Sequence, residues 1–295
     1  MLLRHIRYFL AVAEHLNFTR AAEALHVSQP TLSQQIRQLE EALGAELFDR
    51  GSRQLRLTDA GDAYRIYARR ALRDLDAGRR ALHDVASLQR GQLRLAMTPT
   101  FAAWLAGPLL ARFHQRHPGI ALIVREMSQE AMEAGLADDA FDIGIGFAPS
   151  GTLEVEAEPL LDERLALVAG EGHPLAGRRD ALSLAELEAM PLVLLSADFI
   201  TRRHVDDYCL RHGIRPRTAI EVNGMGAAVE IIRHGGLAGI LPAAVAASQP
   251  GLAVLALEPA LPGRQAALLT KRDGYRSAAS RAFAELARSF ADAMA

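Results

Sequence analysis

The sequence predicts an α/β protein that carries a separate helical head at its N-terminal end. Apolar residues recur at helical spacing through three short segments before residue 45. A segment of about four heptads follows from residue 59, and beyond residue 90 short apolar runs alternate with helical patterns. We therefore expect a winged helix-turn-helix over residues 1–58, a linker helix over residues 59–90 and a two-lobed domain over residues 91–295.

The composition is typical of a globular protein, because 50% of the 295 residues are apolar and 23% are charged. No apolar run reaches the roughly 20 residues that span a bilayer. The amphipathic first segment lacks the cleavage pattern of a signal peptide. The single cysteine, Cys209, rules out an internal disulfide and suits a reducing compartment. From these features we expect a cytoplasmic protein.

Charge is distributed unevenly along the chain. Residues 1–90 contain 14 arginines, no lysine and 11 acidic residues, so that this part is basic while the remainder is acidic. A basic segment joined to an acidic body is what a phosphate-binding head on a second kind of domain requires. The charge therefore favours nucleic acid as a partner of the head.

Capping residues divide the head into short helices. Thr19 is placed to cap the second helix, and Ser28 is placed to cap the third. Pro30 lies in the first turn of the third helix, where a missing N–H is tolerated, and Gly44 ends that helix. A short helix, a short turn and a second helix predict a helix-turn-helix motif.

One face of the third helix carries the residue types that read base edges in the major groove. The alternative is an ordinary solvated surface, but such a surface usually includes Lys or Glu, and neither occurs in this helix before Arg37. We therefore predict that this face contacts DNA. The predicted contact residues on the helix are Gln29, Pro30, Thr31, Ser33, Gln34 and Arg37.

A short hairpin is predicted directly after the third helix. Leu47 and Phe48 belong to one strand and Leu55 and Leu57 to the other, with a turn at Gly51 and Ser52. A single arginine in such a hairpin is often only a solvated charge, but several beside a helix-turn-helix favour contacts with phosphate or the minor groove. These arginines are Arg50, Arg53 and Arg56.

A long helix is predicted to begin after Thr58, its capping residue. Its apolar stripe, which includes Tyr64, Tyr67, Ala71 and Leu75, advances in alternating steps of three and four residues. The head is too small to cover the whole stripe. We therefore expect residues 59–90 to pair with the same helix of a second subunit, which would place two heads on two half-sites of DNA.

Beyond residue 90 the alternation of strands and helices predicts two lobes with parallel strands, and ligands favour the carboxyl ends of such strands. Hydroxyl groups beside free N–H groups at helix starts suit an anion. The alternative is that Ser and Thr only cap helices and that the aromatic residues belong to the core. The predicted effector-binding residues are Thr98, Pro99, Thr100, Ser128, Phe147, Ser196, Phe199 and Asn223.

Two other classes of protein are disfavoured by the sequence. An enzyme would need more than Cys209 and His212 on one helix face, because no third orienting group or oxyanion turn is evident. His114 and His117 have no further ligand cluster that would suggest zinc. The missing export signal and the basic head argue against a stand-alone solute-binding protein. We expect no catalytic residue, cofactor or metal.

The segment FTRAAEALHVSQPTLSQQIRQLEEALGAELFDR, followed by LTDAG and the long helix, resembles the signature of LysR-type transcriptional regulators. The resemblance extends in order of parts over the whole chain. It implies a second domain like the periplasmic binding proteins, with lobe I at residues 91–161 and 265–295 and lobe II at residues 162–264. It also implies a homotetramer, built as a dimer of dimers, that activates transcription from promoter DNA.

Within that family the segments TPTF, EMSQE, GFAP and LLSADF are most similar to regulators of cyanate-utilisation operons. This closer resemblance implies an activator that responds to cyanate or another small anion. Hydroxyl and N–H groups suit a small carboxylate equally well, so the residues themselves leave both effectors open.

Overall fold

The computed structural model describes residues 2–51, 55–84 and 90–294. The chain divides into two compact units, Met1–Leu82 and His83–Ala295. The division falls inside the segment that was predicted to link the head to the second domain.

The first unit is a helical head with a two-stranded hairpin. Its elements are α1 (Leu3–His15), α2 (Phe18–Ala24), α3 (Gln29–Leu43), β1 (Phe48–Asp49), β2 (Arg56–Leu57) and α4 (Asp59–Asp84). The two strands pair antiparallel, with Phe48 opposite Leu57. The hairpin therefore follows α3 as the sequence predicted.

The core of the head forms from one stripe of each helix. Phe9 of α1 and Leu32, Ile36 and Leu39 of α3 are completely buried. Tyr64 of α4 packs edge-on against Phe9, with 5.1 Å between the ring centres. Burial of each large apolar side chain stabilises the fold by about 1.5–3 kcal/mol. The polar face of α3 consequently has to point outward.

Capping residues set the ends of the helices in the head. Ser28 Oγ accepts a hydrogen bond from the N–H of Thr31, and Gly44 ends α3 with a φ of 67°. For α2 the prediction was wrong, because Asn17 and not Thr19 is the cap. Asn17 Oδ1 accepts from the N–H of Thr19 and of the residue after it. Thr19 lies inside the first turn, so it supplies one of the free N–H groups rather than the acceptor.

The start of α4 lies very close to the strand that follows α3. Thr58 Oγ1 donates to the carbonyl oxygen of Glu46 at 2.6 Å and accepts from the N–H of Gly61 at 2.9 Å. A Cβ atom on Gly61 would lie 2.0 Å from the carbonyl oxygen of Leu47. Only glycine permits this approach, which explains the Gly in the LTDAG segment.

The second unit begins with a strand and helix series. Its elements between residues 91 and 170 are β3 (Gly91–Met97), α5 (Pro99–Trp104), α6 (Ala106–Arg116), β4 (Ile120–Glu126), α7 (Gln129–Ala137), β5 (Ile143–Phe147) and β6 (Val155–Gly170). Two helices follow β3, and they meet at Leu105. Strand β3 pairs parallel with β4 and with β5.

A second series follows. Its elements are β7 (Leu182–Ser183), α8 (Leu184–Ala189), β8 (Pro191–Leu195), α9 (Ile200–His212), β9 (Arg217–Val222), α10 (Met225–His234), β10 (Ala238–Pro242), α11 (Ala243–Ser248), β11 (Leu252–Leu255), β12 (Leu257–Glu258), β13 (Gly263–Lys271) and α12 (Ala278–Asp292). Strand β8 pairs parallel with β9 and β10.

Strand β6 joins the two series into one sheet of order β4-β3-β5-β13-β6-β10-β8-β9. Its Val155–Arg164 part pairs antiparallel with β13, and its Leu165–Ala169 part pairs antiparallel with β10. We call β3–β5, β13 and the first part of β6 the first lobe, and the second part of β6 with β8–β11 the second lobe.

The prediction of parallel strands is wrong for β6 and β13, the two strands that carry the chain between the lobes. The segment LALVAG is the end of β6, which is one continuous strand from Val155 to Gly170. A chain that enters a second lobe and then returns must cross twice, and here both crossings run against their neighbours. In the described part of the chain no helix combines the length and hydropathy of a membrane span.

Substituting Gly61 by Ala should destabilise the head by roughly 1–3 kcal/mol, because the added Cβ overpacks against backbone that has little room to move. Urea unfolding of the full chain, followed by amide hydrogen exchange within α1–α3, measures this loss. In the control variant Gly107→Ala the new Cβ meets nothing within 4 Å, and the stability should not fall. A Gly61→Ala protein as stable as the wild type would contradict the close contact.

Candidate functional site

The polar face of α3 is open to solvent in the structure. Ser33 is half-buried, and the five other predicted residues, Gln29, Pro30, Thr31, Gln34 and Arg37, are exposed. The hydroxyl of Thr31 lies 2.7 Å from the hydroxyl of Ser28 and so belongs partly to the cap. Within the residues that the structure describes, no group hydrogen-bonds to the side chains of Gln29, Gln34 or Arg37. These three side chains are free to contact another molecule.

The turn between α2 and α3 is built without glycine. His26 has a φ of 55°, in the left-handed region that glycine usually occupies. The N–H of His26 donates to the carbonyl oxygen of Glu23 at 3.1 Å, and the N–H of Val27 donates to that of Ala22 at 3.0 Å. These two bonds close the turn and set the angle at which α3 leaves the head.

Glu40 holds the hairpin to α3, a role that the sequence analysis missed. Its carboxylate is mostly buried, and one oxygen accepts from the N–H groups of Leu47 and Phe48 at 2.9 and 3.3 Å. The other oxygen accepts from Arg50 at 2.6 Å. No local pattern marks Glu40, because its partners lie beyond the end of α3.

The arginines of the hairpin differ in what they contact. Arg50 pairs with Glu40, and its guanidinium lies 5.8 Å from the ring centre of Phe18. Its side chain is still 37% exposed, so one edge remains open. Arg56 is exposed on β2. Arg53 lies outside the described residues, as does part of the predicted turn. Arg50 therefore has a structural partner in addition to its predicted contact with DNA.

Helix α4 carries large apolar side chains that this chain alone does not cover. Tyr67 is 68% exposed, Ile66 is 64% exposed and Leu75 is 52% exposed. Tyr64 packs against the head instead, and Ala68 is buried. The predicted stripe is thus divided, with its first turn used by the head and its continuation left open.

In the second unit a cavity of about 230 Å³ opens at the carboxyl ends of β3 and β4. Six of the predicted effector-binding residues line it: Thr98, Pro99, Thr100, Ser128, Phe199 and Asn223. The rest of the lining was not predicted from the sequence and consists of Glu126, Met127, Gln129, Asp198, Ile200 and Arg203. Each of these lies within two positions of a predicted residue or on the first turn of α9, so position along the chain was the available signal.

Three hydroxyl groups lie at the cavity, those of Thr98, Thr100 and Ser128, and each stands at the end of a strand or the start of a helix. Thr98 follows β3 and is buried, and its Oγ1 has no hydrogen-bond partner among the described groups. Ser128 follows β4 and caps α7 by accepting from the N–H of Ala131 at 3.3 Å. Thr100 is also buried, on α5. Two exposed carboxylates, Glu126 and Asp198, lie at the same cavity.

Phe147 and Ser196 are not brought into the cavity lining. Gln129 clamps the backbone of Phe147, because its amide accepts from the N–H at 2.9 Å and donates to the carbonyl oxygen at 2.8 Å. The Phe147 ring packs beneath Arg264, whose guanidinium carbon lies 4.0 Å from the ring centre. The N–H of Ser196 donates to Val222, and its Oγ is buried without a partner in the described structure.

A buried ion pair lies behind the cavity. Arg264 of β13 and Glu163 of β6 face each other across the strands, and their closest side-chain atoms are 2.5 Å apart. Burial raises the pKa of Glu163 even though Arg264 opposes the shift, and burial lowers the pKa of Arg264. The guanidinium also donates to Thr201 Oγ1 at 2.9 Å. The pair therefore connects the crossing strands to the first turn of α9.

A second ion pair bridges the two lobes at the surface. Arg203 of α9 contacts Glu130 of α7 at 2.5 Å, and both side chains are more than half exposed. The hydrogen bond from Arg203 lowers the pKa of Glu130. Surface pairs of this kind contribute about 0–1 kcal/mol each, so this contact holds the lobes together only weakly.

The features that suggested an enzyme do not form a catalytic arrangement. Cys209 is buried, and burial raises the pKa of its thiol, whereas a nucleophilic cysteine needs a lowered pKa. The ring of His212 packs on Tyr208, with 4.5 Å between the ring centres. No group of three or more His, Cys, Asp or Glu residues within the described ranges could hold a metal ion.

Two family descriptions match the chain in the order of its units. The bacterial regulatory helix-turn-helix proteins of the lysR family match residues 3–62, and the LysR substrate binding domain matches residues 86–292. The chain belongs to the LysR family. It is a DNA-binding transcriptional regulator with a domain for a small-molecule effector, and it is not an enzyme.

Relatives in this family regulate several kinds of genes. The RuBisCO operon transcriptional regulator of Allochromatium vinosum is 36% identical over 79% of this chain and 76% of its own length. A probable hydrogen peroxide-inducible genes activator of Mycobacterium avium is 33% identical over 95% of this chain and 91% of its own length. Full-length CbnR in complex with its target DNA matches with a TM-score of 0.71 and 27% identity over 98% of this chain and 99% of that chain.

Replacing Glu40 by Ala should loosen the hairpin, because two N–H groups and Arg50 lose their acceptor; each buried group left unpaired costs roughly 1–3 kcal/mol. Amide hydrogen exchange at Leu47 and Phe48 in the full chain measures the effect and should become at least tenfold faster. The control variant Glu41→Gln changes an exposed neighbour and should leave both rates unchanged. Unchanged exchange in Glu40→Ala would show that the carboxylate does not hold the hairpin.

Proposed function

We propose that α3 reads the operator in the major groove through Gln29, Ser33, Gln34 and Arg37, with Pro30 and Thr31 approaching the backbone at the start of the helix. The observation that supports this is the division of α3 into a fully buried apolar stripe and an exposed polar face with free side chains. Glutamine and arginine side chains on a helix are the commonest groups that recognise base edges.

The hairpin supports the same interaction from the side. Arg50 and Arg53 are proposed to contact phosphate or the minor groove, together with Arg56. Arg50 is held in place by Glu40, so its exposed edge would meet DNA in a fixed position. A restrained side chain loses less conformational entropy on binding than a free one.

The exposed part of α4 is proposed to pair with α4 of a second copy. Ile66, Tyr67 and Leu75 supply the apolar surface, and large exposed patches of this kind mark interaction sites. Two heads joined in this way would bind a two-fold symmetric operator. The full-length architecture shared with CbnR bound to its target DNA supports this arrangement and a homotetramer of two such dimers.

For the second unit we propose a small anionic effector, with cyanate as the first candidate and a small carboxylate as the alternative. The hydroxyl groups of Thr98, Thr100 and Ser128 around one cavity, beside the first turns of α7 and α9, support an anion. Relatives are named for RuBisCO operons and for hydrogen peroxide-inducible genes, so membership of the family does not by itself fix the effector. Binding would favour closure of the lobes and so shift the regulator towards activation.

Replacing Gln34 by Ala should weaken binding to a cognate promoter fragment by about 1–3 kcal/mol and relax the preference at one base pair. Replacing Arg37 by Ala should lower the affinity and, where Arg37 contacts phosphate, reduce the salt slope by about one unit. Competition binding at several salt concentrations measures both effects.

The control for Arg37 is Arg179→Ala, which removes the same charge from an exposed position of the second unit. Its promoter affinity and salt slope should stay within about twofold of wild type, because screening weakens distant surface charges. If Arg37→Ala and Gln34→Ala behaved like this control, α3 would not be the reading surface.

Thermal unfolding tests the effector. Saturating cyanate should stabilise the protein, by about 2.7 kcal/mol at a hundred times the dissociation constant. Thr100→Val should remove most of the shift, whereas the control Thr218→Val, on an exposed part of β9, should retain it. Larger shifts with formate or acetate would favour the carboxylate alternative. A flat response to all three anions would refute a small anionic effector.

A further inference from the structure

A chain of polar contacts runs from the crossing strands to the wall of the effector cavity. Glu163 Oε2 accepts from Arg264 Nε at 2.5 Å, and Arg264 Nη2 donates to Thr201 Oγ1 at 2.9 Å. Thr201 Oγ1 lies 3.4 Å from Thr100 Oγ1. All four residues are at least nine-tenths buried. Thr100 lines the cavity, whereas Arg264, Glu163 and Thr201 stand behind it.

The hydrogen bond between Arg264 and Thr201 has a fixed direction. A guanidinium donates hydrogen bonds and accepts none. Thr201 Oγ1 must therefore accept from Arg264, and its own hydrogen is available for Thr100 Oγ1. A hydroxyl oxygen has two lone pairs, so the reverse direction, with Thr100 donating to Thr201, is equally open to this pair. Where Thr201 donates, the O–H of Thr100 is left for another acceptor, and Thr100 lines the cavity.

We propose that Arg264, held by Glu163, orients the hydroxyl groups of Thr201 and Thr100 so that Thr100 acts as a hydrogen-bond donor to the effector and selects an anion over a neutral molecule of the same shape. Arg264 is a positioning residue in this account, because it acts through two hydroxyl groups. The inference rests on the proposed function, in which the cavity holds a small anion.

Selection follows from the cost of a mismatch at a buried hydroxyl. A carboxylate or cyanate offers only acceptors, so it pairs with a donating Thr100 without rearrangement. A neutral amide has only one acceptor oxygen, so it pairs with a donating Thr100 in one of two orientations; in the other its N–H₂ group meets a second donor and one of the two groups stays unpaired. Glu163 offsets most of the charge of Arg264, so the field at the cavity is reduced and the orientation of the hydroxyl groups makes the main difference.

The same row of polar contacts connects the two lobes. Thr100 belongs to α5 beside the first lobe, and Thr201 belongs to α9 beside the second. Their contact lies where β6 leaves β13 for β10. An anion that tightens the hydrogen bond network at Thr100 therefore also acts on a contact between the lobes.

The test compares acetate with acetamide, which have nearly the same shape, in titrations of the full chain followed by ligand-detected NMR. Thr201→Val keeps the volume of the side chain and removes the hydroxyl, and Thr201→Ser keeps the hydroxyl. The preference of the wild type for acetate over acetamide should fall about tenfold in Thr201→Val, the effect of about one hydrogen bond. It should stay within about twofold of wild type in Thr201→Ser.

A second variant removes the source of the orientation. In Glu163→Met with Arg264→Met the buried pair is replaced by apolar side chains of similar length, an exchange that proteins often tolerate without loss of stability. Its preference for acetate over acetamide should fall as far as that of Thr201→Val. A double variant that retained the wild-type preference would overturn the role of Arg264.

The outcomes separate this inference from the proposed function. If the wild type binds acetate and cyanate but Thr201→Val keeps its preference over acetamide, the orienting chain is refuted and the anionic effector stands. If Thr201→Val loses acetate and acetamide equally, or if Thr201→Ser behaves like Thr201→Val, the residue only packs and the inference fails. If the wild type binds neither anion, both proposals fail together.

Discussion

The antiparallel pairing of β6 with β13 is the constraint on which the second unit depends. Strand β6 pairs with β13 along Val155–Arg164 and with β10 along Leu165–Ala169, so one strand supplies an edge to each lobe. A shift of one residue in this pairing would exchange the two faces of the strand. The position of each lobe, and of the helices that begin at the cavity, therefore follows from the register between these strands. Glu163 and Arg264 are direct partners in that register, at the point where β6 changes neighbours.

The buried pair is poorly explained as a source of stability. Moving two charges out of water costs about as much as their attraction returns, and apolar replacements are often as stable. Glu163 Oε1 and Arg264 Nη1 also have no hydrogen-bond partner among the described groups. A feature that adds little to the free energy of folding is better explained by geometry. The guanidinium packs on the ring of Phe147 and bonds to Thr201, so its position is determined from two sides. Precise placement of polar groups is what a recognition site requires.

How far the sequence predicts the structure depends on how local each interaction is. Ser28 and Gly44 were identified correctly because a cap and its helix lie within a few residues of each other. Thr19 was misassigned although Asn17, two positions earlier, is the residue type that caps helices more often, because the apolar spacing alone does not fix where the helix begins. Glu40 and Arg264 were missed because their partners are set by tertiary structure. The partner of Arg264 lies 101 residues away in the sequence, and no periodic pattern relates positions so far apart.

The single cysteine of this chain is not placed to act as a peroxide sensor. The chain is 33% identical to a probable hydrogen peroxide-inducible genes activator. A thiol that senses peroxide has to be accessible and to ionise readily. Cys209 is the only cysteine in the sequence, it is buried, and its surroundings raise the pKa of the thiol. It has no second cysteine with which to form an internal disulfide. A similar fold therefore does not by itself carry over a chemistry, and the described part of the second unit offers hydroxyl groups around a cavity.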